Sequence, residues 1–192
     1  MEEYTPFHKA SQSRRVAVTA IMSALTLVGN YVLIAIPNVE LGSGVLFVTA
    51  YLFGLQMGGW CVLVVSIIFP FFNPWGPFIP TIWVSQIIGW TFMVLTGYLM
   101  SHQYRTVAWT KIRYLEIAII GAVVTLFFDL ITNLGYALWF GIPYFVAVIA
   151  GLLFIGIHVI SNAIIFSAIV PTLDMTMKKQ LESLFNEKRS PS

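Results

Sequence analysis

The sequence predicts an all-α integral membrane protein, a six-helix bundle with both ends in the cytoplasm. Three observations point there. Hydrophobic residues make up 58% of the 192 positions and charged residues only 9%, where soluble domains carry about 25% charged residues. Between Arg15 and Arg105 the only charged side chain is Glu40. Water would face large apolar patches on such a chain, whereas lipid tolerates long uncharged runs and penalises charge. The third observation is where the ten lysines and arginines fall, taken up below.

A spanning helix needs about 20 mostly apolar residues. Segment one covers residues 16–36 and is closed by Pro37. Segment four covers 79–100, segment five 114–140, and segment six 144–170, closed by Pro171. The stretch 41–72 reads as one long helix or as two short ones turning near Gln56-Met57-Gly58-Gly59. Basic residues decide between these readings, because cytoplasmic loops are enriched in them. With two helices, Lys9, Arg14, Arg15, Arg105, Lys111, Arg113, Lys178, Lys179, Lys188 and Arg189 all share the cytoplasmic side. With one helix they divide between the two sides. Gly54, Gly58 and Gly59 supply the break, since glycine relaxes the helical constraint.

The domain plan follows: a cytoplasmic tail 1–15, a six-helix domain 16–171, and a cytoplasmic tail 172–192 whose first half suits an amphipathic helix. External loops fall at 37–44, 70–77 and 141–143. No removable signal peptide is read, because the polar start has no cleavage site after a short apolar run. The single cysteine, Cys61, forms no internal disulfide, and a net charge of +2 gives no nucleic-acid footprint.

Polar groups inside the membrane carry the chemistry, because lipid cannot satisfy them. Asp129 is the one acid deep in a span, with Thr125 and Asn133 four residues away on the same face. On segment six His158 and Asn162 share a face, and on segment four Ser85 and Gln86 sit about two turns from the outside. At ~1.5 Å per residue, Asp129 lies about 18 Å below the external end of its helix, and His158 lies at a similar depth. The two are placed to meet. They either hold helices together or line a cavity open to the outside that binds a polar solute; the second reading is favoured, because an intramembrane acid is a functional candidate by default.

Asn38, Glu40, Asn73 and Trp75, in loops punctuated by proline and glycine, suggest a lid. Trp75, Trp83 and Trp139 also suit a plain interfacial aromatic belt, and Asn73-Pro74 suits ordinary turn chemistry. There is no His-Glu-x-x-His, no Gly-x-Ser-x-Gly and no glycine-rich phosphate loop. The chain is therefore expected not to be an enzyme and to need neither metal nor cofactor.

Ala20-Ile21-Met22-Ser23-Ala24, with Ala17 one turn earlier, is an Ala-x-x-x-Ala motif that lets another helix approach closely. With the size, the six segments and the loops from Pro37-Asn38-Val39-Glu40 to Phe72-Asn73-Pro74-Trp75-Gly76-Pro77, it resembles the S components of energy-coupling factor (ECF) transporters. The resemblance spans about residues 16–171. It implies capture of a small water-soluble vitamin or related micronutrient outside the cell. It also implies docking of Ala17, Ala20 and Ala24 on a membrane T component energised by two ATPase subunits. In that family the solute is held by the first external loop and the outer halves of helices four to six, which here offer Asn38, Glu40, Gln86, Asp129, Asn133 and Trp139. Two other readings stand beside it: a small intramembrane enzyme using Asp129 and His158 as an acid–base pair, and an assembly or scaffold protein of the cell envelope.

Overall fold

A computed structural model describes residues 11–73, 76–104 and 108–187. The expected lid residue Trp75 lies outside them, as do Lys9, Arg105, Lys188 and Arg189 of the basic set. Among the described residues six α-helices follow one another: α1 (Gln12–Tyr31), α2 (Gly42–Phe53), α3 (Leu55–Ile68), α4 (Pro80–Tyr104), α5 (Lys111–Phe140) and α6 (Tyr144–Glu187), with a 3₁₀ turn at Phe69–Phe71. No strand occurs among the described residues. By length and composition, three helical stretches suffice to cross a membrane: Pro80–His102, Lys111–Phe140 and Tyr144–Met177. The chain is a multi-pass membrane protein.

The ends of the helices follow local chemistry. The Ser11 hydroxyl accepts from the Arg14 N–H at 3.4 Å and opens α1, and Thr110 opens α5 in the same way through the Arg113 N–H. α5 stops at Gly141, whose φ of 64° is left-handed, and the Ile142 N–H turns back to the Ala137 carbonyl at 3.1 Å. Pro143 then precedes α6.

The stretch 41–72 is two helices, but they part at Gly54 and not at 56–59. Gly54 has φ 93° and ψ 168°, a conformation open almost only to glycine. Gly58 and Gly59 continue α3. A side chain at Gly58 would press on Ala50 and Val94, so this glycine serves packing and not the turn.

α6 also differs from expectation. It does not close at Pro171 but runs on through it, so the C-terminal segment continues the last helix. Proline removes one ladder bond and crowds the preceding turn. Within membranes such breaks are tolerated where nearby hydroxyls engage the backbone, and Thr172 donates to the Ala168 carbonyl at 2.7 Å.

Every residue of α2 is buried. A helix apolar on all sides has no solvent face and is placed centrally. Leu46, Phe47, Val48 and Tyr51 pack among Cys61 and Val65 of α3, Met93 and Val94 of α4, and Phe166 and Val170 of α6. Among its buried hydroxyls, that of Thr49 donates to the Val45 carbonyl at 2.7 Å. At ~1.5 Å per residue the helix is about 18 Å long, too short to span a bilayer. Large apolar side chains left exposed include Leu115, Ile119 and Leu138 on α5 and Ile149 and Leu153 on α6.

Candidate functional site

The connection between α1 and α2 does not stay outside the bundle. Asn38 adopts φ 58°, a left-handed conformation that asparagine tolerates better than most residues. Its amide donates to the Phe154 carbonyl at 3.3 Å, and the Ser161 hydroxyl donates to the Asn38 carbonyl at 3.3 Å. These bonds draw the connection onto α6 and carry Glu40 inward. One Glu40 oxygen accepts from the Ser43 N–H at 2.8 Å, placing a negative charge at the start of α2, where the helix dipole favours it. The other faces His158 Nε2 at 3.7 Å and accepts from the Asn162 amide at 3.4 Å. Burial works to raise the Glu40 pKa, but the His158 imidazole and the Ser43 N–H outweigh it and hold the carboxyl below its ordinary value.

His158 is the centre of the cluster. Its Nδ1 lies 2.7 Å from Asp129 Oδ1, joining α6 to α5. One turn further, the Asn162 amide also donates to the Thr125 hydroxyl at 3.0 Å. Asp129, His158 and Asn162 are all buried. Within these three residues, Asp129 Oδ2, His158 Nε2 and Asn162 Oδ1 are buried without a hydrogen-bond partner. A carboxylate–imidazole–carboxylate line of this kind can hold a proton or neutralise a cation.

The cluster borders a cavity of about 230 Å³. Asn38, Glu40, Gln86, Asp129 and His158 line it. Asn133 and Trp139 do not. Asn133 turns its amide back to the Asp129 carbonyl at 2.8 Å, a bond within its own helix. Trp139 is half exposed and lines a second cavity of about 570 Å³ with Phe78, Trp83, Tyr136 and Phe140. Gln86 lines both. Asn30, Ser43, Trp90, Phe128 and Thr132 also line the first cavity and were missed by sequence reasoning. Helical spacing held a signal for some of them: Trp90 stands four residues after Gln86, and Thr132 three after Asp129.

Residues 78–189 match the family described as Protein export membrane protein SecD/SecF, C-terminal. The match covers more than half of the chain. The chain belongs to this SecD/SecF family. No curated protein and no solved structure matches it.

The SecD/SecF match runs from just before α4 through the whole of α6, and so includes Asp129, His158 and Asn162. It overturns the resemblance to ECF S components. With that resemblance go the vitamin-type solute, the T component and the two ATPases. The reason lies in what the resemblance rested on. Size, helix number and an Ala-x-x-x-Ala stripe are shared by many tightly packed membrane bundles, because small residues serve any close helix approach. Ala17, Ala20 and Ala24 are exposed, and Ala20 and Ala24 line a groove between α1 and α3 with Thr19, Met57, Trp60 and Val64. That groove lies outside the segment shared with SecD/SecF proteins.

Proposed function

We propose that the chain is a non-enzymatic membrane component of protein export. The SecD/SecF match across α4 to α6 carries this reading. Of the alternatives open to the sequence, an assembly protein of the envelope lies nearest to it. In this reading α4, α5 and α6 form the export module, and the Glu40–His158–Asp129 line is the joint between it and the preceding helices. The joint fastens the α1–α2 connection and the start of α2 to the two longest helices. A joint made of ionisable groups can be loosened or tightened by a proton or a cation, which packing of alkyl groups alone cannot provide.

The reading includes six membrane segments with both ends in the cytoplasm, α2 and α3 forming a short re-entrant pair. Arg15 at the start of α1 bonds Gln56 at the start of α3. Trp109, just before α5, donates to Asp174 in the C-terminal part of α6 at 2.8 Å. These contacts gather the basic ends of the helices, as positive-inside placement requires. In intact cells, a membrane-impermeant maleimide is expected to label Ile142→Cys but to reach Lys111→Cys only after permeabilisation. The opposite pattern would invert the topology.

The function is tested by pulse–chase in the native host. Cells lacking the chain should export signal-bearing proteins more slowly, and the wild-type chain should restore the rate. Unchanged export kinetics in the deletion strain would remove the reading.

A further inference from the structure

The cavity beside His158 has an electrostatic imbalance. Two carboxyl groups, Glu40 and Asp129, face a single imidazole, so full ionisation of all three leaves one negative charge unmatched. Among the described residues, no lysine or arginine lines the wall of this cavity of about 230 Å³. Burying unmatched charge is costly unless a partner arrives. Asp129, which lines the cavity and is only 5% exposed, has an oxygen with no hydrogen-bond donor. That oxygen is a buried acceptor whose hydrogen-bonding capacity is unused.

The remaining lining narrows the chemistry of what would fill it. Trp90, Phe128 and Phe69 contribute aromatic surface. Phe128 and His158 meet edge to face, with ring centroids 6.1 Å apart, and Trp90 tilts against Phe128 at 5.9 Å. Carboxylates beside aromatic rings favour a cation that also carries apolar or planar surface. A bare metal ion would leave most of this volume unfilled, since a water-sized occupant takes only about 30 Å³. Gln86 forms the shared wall with the second, larger cavity, which is ringed by Phe78, Trp83, Tyr136, Trp139 and Phe140. An apolar stem threaded past Gln86 would lie among those rings, with its charged head against Asp129 and Glu40.

We infer that the cavity between α4, α5, α6 and the α1–α2 connection is a receptor for an organic cation, an ammonium or guanidinium group on an apolar stem. Two sources carry that chemistry: a lysine or arginine side chain of a polypeptide, and a free small amine. The inference goes beyond the export reading and is tested on the purified chain, so that either can fail alone.

The full-length protein in lipid nanodiscs is titrated with n-butylammonium and methylguanidinium, and in parallel with their neutral counterparts n-butanol and methylurea. Binding is followed by tryptophan fluorescence, to which Trp90 reports from the cavity wall, and by thermal stabilisation. Saturable responses are expected for the two cations and not for the neutral pair. Asp129→Asn and Glu40→Gln should each weaken the response about tenfold or more, because each removes one charge from a desolvated pair. The peptide Ala-Lys-Ala amide separates the sources: tighter binding than n-butylammonium indicates a polypeptide side chain, and exclusion of the peptide indicates a free amine. Equal responses to charged and neutral probes overturn the inference, as does the absence of any saturable response from folded protein. Wild-type affinity in both folded variants overturns it too. Should the variants fail to fold, the comparison of cations with neutral probes on the wild-type chain still decides.

Discussion

Replacing His158 by alanine is expected to destabilise the protein by about 3–5 kcal/mol. The residue is 6% exposed and its side chain stands between two acids, 2.7 Å from Asp129 and 3.7 Å from Glu40. Its removal leaves two carboxyl groups without their shared partner in a buried site, with no other positive group lining the cavity among the described residues. Breaking a buried pair on one side costs far more than the pair contributes as a whole, because the surviving charge keeps its desolvation penalty. The triple replacement Glu40→Met, Asp129→Leu and His158→Phe therefore recovers most of the loss, since it removes all three charges at similar volume. Unfolding in mixed micelles with increasing dodecyl sulfate, followed by circular dichroism, gives both numbers. A loss under about 1 kcal/mol for His158→Ala would mean that water already solvates the cluster.

The pairing of Asp129 with His158 was legible in the sequence; the place of Glu40 was not. Depth along a helix can be counted at a fixed rise per residue, so two groups on long apolar runs can be set at the same level. No such ruler exists for a connection. Glu40 reads as a loop residue outside the membrane because loops usually stay at the surface. Here Asn38 takes a left-handed turn and fastens to α6, and Glu40 is carried inward. Asn133 shows the converse. Its spacing sets it on the Asp129 face, but its amide is spent on its own helix. The split of residues 41–72 was legible from charge asymmetry, whereas the exact break was not, because Gly54, Gly58 and Gly59 are alike in sequence. Only the backbone angle at Gly54 separates a turn glycine from a packing one. The family was not legible from size, segment count and small-residue spacing, since those report close helix packing in lipid and not what the packed helices serve.

Gly97→Val is expected to cost about 3 kcal/mol, the upper part of the range for overpacking a tight interior. A Cβ at position 97 would fall 2.4 Å from the Phe47 carbonyl oxygen, with the carbonyl carbon and Cα of Phe47 at 3.1 and 3.3 Å. All three are backbone atoms, so no rotamer change relieves the contact. Nor can α2 withdraw, because it is buried along its whole length against its neighbours. Lipid offers little hydrophobic drive for helices to stay together, so close contact itself supplies much of their association. Forcing α2 away from α4 forfeits that contact along the interface. The effect should reach the site as well. The start of α2 holds Glu40 through the Ser43 N–H at 2.8 Å, so a displaced α2 draws the carboxylate from His158. Gly59→Ala is the matched control: no atom lies within 4 Å of its Cβ, and within a helix the change is expected to stabilise by about 0.5–1 kcal/mol. Measured by the same unfolding titration, the two substitutions should move the midpoint in opposite directions. A Gly97→Val midpoint equal to that of the wild type would mean that α2 is free to shift, and that the cavity wall it supports is not fixed by packing.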